Sequence, residues 1–211
     1  MSIRVEVWGE RACFSRPELK VERVSYEIIT PSAARGIIEA VCWKPAIKWI
    51  IDEIQVCNPI KFENIRRNEI TSKASKGKAY IAASDERSQR ASMILKDVRY
   101  VITAHFEMTD QAQERDNEGK FADIVRRRLR NGQFYHKPYL GVREFPAEVR
   151  LIDDIEAAPL PISESRSLGL MLFDIDYVKD KQGLVTAFNP TYFVAEMENG
   201  VVDLRNSEVL R

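Results

Sequence analysis

Apolar residues recur at every second position at the start of the chain. Ile3, Val5 and Val7 alternate with Arg4, Glu6 and Trp8, the pattern of a strand with one buried face. Residues 11–30 read as a loop entering an extended segment. At Thr30 the period changes. Thr30 suits a helix N-cap and Pro31 the first helical position. Ile37, Ile38, Val41 and Cys42 form one apolar side, and Pro45 stops the helix. Residues 46–70 are rich in β-branched side chains and predict strand, break, strand. Residues 71–92 are small, polar and basic, with Lys73, Lys76, Lys78, Arg87 and Arg90; they predict an exposed hairpin or mobile loop. A long strand follows from Met93 to Met108. Ile102, Ala104, Phe106 and Met108 share one face, and Val101, Thr103, His105 and Glu107 the other.

Phe121, Ile124, Val125 and Leu129 then fall on one stripe at helical spacing, and Asn131-Gly132 ends that second helix. Residues 139–152 predict a strand broken at Pro146. The order is strand, helix, strand, strand, helix, strand, which is that of a ferredoxin-like (RRM-like) domain. An α+β protein is therefore expected, with this RNA-binding-type domain over residues 1–150 and its basic insert near 71–92. Beyond it, "LGLMLFDIDYV", "LVTAFNP" and "TYFVAEMENGVVDL" predict a small β-rich region over 151–211.

Composition adds constraints. The 211 residues suffice for a sizeable core, and the formal net charge is zero. No apolar run approaches the ~18 residues of a membrane span, and the first residues read as a strand and not as a signal peptide. Three cysteines at no metal-like spacing point to a reduced, cytoplasmic setting. The charge is unevenly sorted. Residues 61–100 carry ten Lys/Arg against five Asp/Glu, residues 120–150 eight against three, and residues 151–211 five against eleven. Two basic segments suggest a polyanion partner; mutual neutralisation with the acidic tail is the alternative.

Candidate chemistry concentrates at "GKFADIVRRRLRNGQFYHKPYLGVREF". With the apolar stripe inward, Arg126, Arg127, Arg128 and Arg130 fan over the outer arc. Lys120 in the first turn opposes the helix dipole, which makes sense if an anion binds there; pairing with Asp116, Asp123 or Glu118 is the plain alternative. His136 and Lys137 lie among Phe134, Tyr135 and Tyr139, and such aromatics can stack on unpaired bases. Metal-free RNA cleavage needs a base for the ribose 2′-hydroxyl, an acid for the leaving 5′-oxygen, and cations for the phosphate. Only His105 and His136 are histidines, and His105, in mid-strand, reads as structural. Asp174 and Asp176 in "FDIDY" share a strand face that could ligate Mg²⁺, but more often such acids are solvated. HxxH, CxxC and P-loop spacings are absent. No metal or cofactor is expected.

The blocks "TPSAARGIIEAVCWKP", "RNEITSK", "LKDVRYVITAHFE", "NEGKFADIVRRRLRNGQFYHKPYLGVREFPA", "LGLMLFDIDY" and "FVAEMENGVV" resemble the CRISPR-associated proteins of Cas family five, subtype d, over nearly the whole chain. The resemblance implies a ferredoxin-like domain carrying a smaller C-terminal β-sheet. It implies binding to the CRISPR repeat RNA stem-loop. It implies cutting near the 3′ base by 2′-hydroxyl attack without metal, leaving a 5′-hydroxyl and a 2′,3′-cyclic phosphate. The protein would then stay on the 5′ handle, as a subunit of a type I-C surveillance complex with backbone and large subunits. In relatives a tyrosine precedes "WKP", where this chain has Cys42, and a Lys-His pair follows the glycine of the second helix, where this chain has Lys120-Phe121. The relocated candidates are His136 with Lys120 as the cation, and Tyr135 or Tyr26 as a second polar group. RNA grip is expected from Arg126, Arg127, Arg128, Arg130, Lys137 and Arg143, with Lys73, Lys76 and Lys78 in the insert. The alternatives are a non-catalytic handle-binding subunit and a general duplex binder that also takes double-stranded DNA.

Overall fold

The computed structural model describes residues 2–19, 22–77, 79–154, 156–180 and 182–210. It is a mixed α/β protein in which strands dominate. Its elements run β1 (Ser2–Ala12), β2 (Arg23–Val24), α1 (Pro31–Val41), β3 (Ile47–Val56), β4 (Phe62–Ile70), β5 (Arg87–Met108), α2 (Glu118–Arg130), β6 (Glu148–Leu151), β7 (Arg166–Lys179), β8 (Val185–Met197) and β9 (Val201–Asp203).

Four strands make the centre in the order β6-β1-β5-β3, each antiparallel to its neighbour, and β9 extends the β3 edge. Alternation puts Ile3, Val5 and Val7 beside Ala104, Ile102 and Tyr100, all buried on one face. Trp49 and Phe106 meet edge-on there, and Phe106 meets Phe121 of α2.

Both helices follow their local signals. The Thr30 side chain accepts from the Ala33 N–H, and Pro31 opens α1. Ala34, Ile37, Ile38 and Val41 are buried, and α1 packs on β3 and β7. Asn117 caps α2 by accepting from the Lys120 N–H, and Gly132, at φ +60°, follows its end. Burying Phe121, Val125 and Leu129 stabilises α2 by roughly 1.5–3 kcal/mol per side chain.

Two strand expectations are corrected. The strand expected from Met93 begins at Arg87, inside the stretch read as an exposed hairpin or mobile loop, and of these two readings the hairpin is the one found. Arg87–Leu95 pairs with β4, so the basic segment closes a hairpin whose loop is 71–86. Below it, Asp97 takes φ +51° and its carbonyl accepts from the Asn58 side chain, at the point where β5 leaves β4 for β3 while β1 pairs with it on both sides of Asp97. The strand expected over 139–152 shrinks to β6. Residues 134–147 form a loop pinned by Cys13 N–H to Leu140 C=O and by Ala147 N–H to Pro138 C=O. Its apolar residues Leu140, Phe145 and Ala147 are anchors into the core, which mimicked a strand period. Gly141 permits the anchoring. At φ +85°, a Cβ there would sit 2.0 Å from the Cys13 carbonyl oxygen. In the C-terminal part, β7 and β8 form a two-stranded sheet, and β9 returns to the first sheet.

Candidate nucleic-acid interface

The arginines of α2 stand on its outer arc, but they are not equivalent. Arg130 makes two hydrogen bonds to Asp153, at 2.8 and 3.0 Å. That pairing, with help from nearby Arg126, holds the Asp153 carboxyl below its usual range. Arg128 donates to the Val41 carbonyl at 2.8 Å, covering the end of α1. Arg127 is exposed and forms no ion pair among the described residues. Lys137 and Arg143 are exposed on the 134–147 loop, and Lys73 and Lys76 on the hairpin loop. Lys78 lies outside the described residues.

Lys120 is engaged by its own chain. Its ammonium lies 2.8 Å from Asp116, and its N–H is taken by the Asn117 cap. The hydrogen bond from Lys120, with the Gln113 N–H and the charge of Lys44, holds the Asp116 carboxyl below its usual range. Lys120 thus pairs with Asp116, one of the partners expected for it, while about half of its side chain stays exposed. Cys42 and Phe121, at the two positions where relatives differ, are both buried. Burial pushes the Cys42 thiol up, against the opposing charges of Arg128 and Lys44.

Lys120 and His136 do not meet. Lys120 sits in the first turn of α2 and His136 beyond its last, and at about 1.5 Å per residue some 15 Å of helix separates Lys120 from Arg130. His136 lines the cleft described below, and Lys120 does not. Tyr26 is also unavailable. It is 1% exposed, and the Arg16 guanidinium covers its ring at 4.5 Å. Burial raises its phenol above the ordinary value. The expectation that Tyr26 faces a substrate fails because its segment is tied into the sheet, with its N–H bonded to the Phe14 carbonyl. Tyr135, in contrast, is 88% exposed, with its ring 6.0 Å from that of His136.

His136 opens onto a cleft of about 340 Å³ between α1, the end of β1, β7 and the 134–147 loop. Tyr139, Tyr177, Gly36, Arg35, Leu172 and Asp174 also line it. The His136 and Tyr139 rings are 6.2 Å apart and tilted by 39°. Arg35 reaches from α1 to grip both oxygens of Asp174 on β7, while its Nε lies 3.5 Å from Glu39. Burial raises the Glu39 carboxyl above its usual range; Arg35 opposes this and Asp174 adds to it. Asp174 is thus the partner of an arginine, where the sequence allowed a metal ligand beside Asp176. No group of three His, Cys, Asp or Glu side chains converges among the described residues. His105 is bonded at 2.8 Å to Asp52 within the sheet. The Arg35–Asp174 pair had no sequence signal, because 139 positions separate its members. Only the Arg35–Glu39 contact, one helical turn apart, was readable.

Comparison with known proteins gives these features a family. A family model described as CRISPR-associated protein (Cas_Cas5), of the Cas5d type, matches residues 2–205. A protein of Mannheimia succiniciproducens named CRISPR pre-crRNA endoribonuclease Cas5d is 48% identical over 218 residues, covering 96% of this chain and 94% of its own length. One of the same name from Thermus thermophilus is 42% identical, covering 84% of this chain and 75% of its own. Among solved structures, a functionally uncharacterized protein of Streptococcus mutans shares the fold, with TM-score 0.69, 23% identity, 97% of this chain and 92% of that one. A chain of a CRISPR RNA-guided surveillance complex aligns with TM-score 0.51 and 12% identity, over 100% of this chain and 89% of that one. On its match across 2–205 and on both curated relatives, the chain belongs to the Cas5d family of CRISPR-associated proteins.

Proposed function

We propose that this chain is the endoribonuclease that cuts precursor CRISPR RNA within its repeat, and that it then stays on the 5′ handle as a subunit of a type I-C surveillance complex. The observation that carries this reading is 48% identity, over 96% of the chain, to a protein named for that activity. A ferredoxin-like (RRM-like) core over residues 1–150, with the remainder as a smaller β-sheet region, agrees with the β6-β1-β5-β3 order and the two helices. The repeat stem-loop lies along the α2 side of the molecule, held by Arg126, Arg127, Lys137 and Arg143. Lys73 and Lys76 of the hairpin loop, with Lys78 near them in sequence, supply further phosphate contacts. Tyr177, Leu184, Val185 and Phe188 leave the far end of the β7–β8 sheet apolar and exposed, which suits neighbouring protein subunits.

Cleavage runs through the 2′-hydroxyl. Its oxygen bonds to the adjacent phosphorus while the bond from phosphorus to the 5′-oxygen breaks, giving a 2′,3′-cyclic phosphate and a 5′-hydroxyl. His136 moves the proton, imidazole being the side chain suited to this near neutral pH. Lys137 and the exposed Tyr135 hydroxyl assist at the phosphate. Lys120 grips the backbone from the other end of α2. A second reading, a handle-binding subunit that does not cut, is favoured by the burial of Cys42 and Phe121 at the positions where the resemblance implies a tyrosine and a histidine. Cleavage of a labelled repeat hairpin in EDTA, beside the same hairpin with one 2′-deoxy sugar at the cut, separates the two. Cutting of the ribose form alone supports the endoribonuclease. Binding without cutting of either overturns it.

A further inference from the structure

We propose that the cleft between α1, β7 and the 134–147 loop receives a single unpaired nucleobase of the bound RNA. This rests on the RNA-processing reading and names a subsite within it.

Four observations carry the assignment. At about 340 Å³ the cleft is the size of a small-ligand pocket, enough for one base and too narrow for a stem. Part of its lining offers flat or apolar faces: Leu172 is nearly buried, and the His136 and Tyr139 rings stand 6.2 Å apart at its rim. Such faces stack on bases. Its one guanidinium is already engaged. Arg35 is committed to Asp174 and lies beside Glu39, and no other lysine or arginine lines the cleft among the described residues to hold a phosphate. A base edge is different. The pair offers it guanidinium N–H donors and carboxylate acceptors side by side. Finally, the same loop carries two exposed cations outside the cleft, Lys137 and Arg143, which could take phosphates. A chain with its backbone on those cations can turn one base into the cleft, beside His136. The base flanking the scissile phosphate would then be fixed by the pocket that presents the phosphate to the imidazole.

Gly36 makes this testable without disturbing the core. It lines the cleft in mid-helix, and a Cβ built on it meets nothing within 4 Å. Gly36→Leu therefore fills the cleft while improving helix propensity. Gly36→Ala, adding one methyl, is the control. Binding is measured by fluorescence anisotropy with a CRISPR repeat hairpin and a panel in which each unpaired nucleotide in turn lacks its base. For the wild type, one abasic position should weaken binding about tenfold. Gly36→Leu should bind the intact hairpin as weakly as the wild type binds that abasic RNA, and should ignore the lesion; Gly36→Ala should behave as wild type. The subsite is overturned if Gly36→Leu binds the intact hairpin normally, or if no abasic position matters to the wild type. Failure of the wild type to bind the hairpin at all overturns the RNA reading and the subsite together.

Discussion

The separation of Lys120 from His136 makes a sharp kinetic prediction. A group that transfers a proton to or from the reacting oxygens must come within about 3 Å of them. Lys120 sits in the first turn of a 13-residue helix and His136 beyond its other end, with about 15 Å of helix between Lys120 and Arg130. One scissile phosphate cannot touch both. With proton transfer assigned to His136, His136→Ala should slow single-turnover cleavage at saturating enzyme by about 10²–10⁴-fold, or roughly 3–5 kcal/mol of barrier. Lys120→Ala removes only an exposed cation already paired with Asp116. Its cleavage rate at saturation should stay within a few-fold of wild type, while its log–log salt dependence of binding flattens by at most about one unit. The assay is cleavage of a labelled hairpin under enzyme excess, with binding measured separately at several salt concentrations. If Lys120→Ala abolishes cutting at saturation while His136→Ala cuts normally, the reacting centre lies at the Lys120 end and the assignment of the cleft is wrong.

Arg127 and Arg130 should part company in salt. Arg127→Gln should lower the slope of log K against log salt by roughly 0.7–0.9, whereas Arg130→Gln, already bound to Asp153, should barely change it; equal effects would place both on RNA. Tyr26→Phe removes the contact between the phenol and the Leu172 backbone, so denaturant titration should show a loss of roughly 1 kcal/mol with cleavage at saturation unchanged. A cleavage defect would bring Tyr26 back as a functional group. Glu39 binds its proton more tightly in the folded than in the unfolded chain, because burial raises its carboxyl. Its contribution to stability therefore falls as pH rises from the usual carboxylate range through the raised value. Glu39→Gln should melt above wild type at neutral pH and match it at acid pH; the opposite order in thermal melts would contradict the desolvation account.

Local chemistry was legible where one signal had one meaning. Thr30-Pro31 and Asn131-Gly132 marked helix ends because caps and left-handed turns need those residues. The strand alternation at Ile3–Val7 was equally direct. Residues 139–147 misled because anchoring side chains of a loop can alternate as strand residues do. Residues 87–92 were legible only as a hairpin or a mobile loop. Their polar alternation belongs to a strand that pairs with β4 and β2 and buries only Ser92, so no apolar face announced it. At the site, the exposed His136 and Tyr135 were readable from a single polar loop. The division of labour among the arginines was not, because Asp153 and Val41 become their partners only through folding. The same holds for the buried Glu6 between Arg99 and Arg150, which joins three distant strands.

The order of strands in the sheet has a consequence for how the chain is made. β1 emerges first, yet both its neighbours come late: β5 about 90 residues on, and β6 about 140. At roughly 5–20 residues per second, β1 waits some 5–20 s on the ribosome before β5 exists. β3 gains β9 only when residues 201–203 appear, and until then the backbone donors and acceptors of Glu53–Gln55 on its outer edge lack that partner. A nascent chain stalled short of β9 thus presents a sticky strand at the rim of an otherwise assembled sheet. Tight supply of chaperone, or co-synthesis with a partner able to shield that rim, should decide the soluble yield of this protein more than the stability of its finished core.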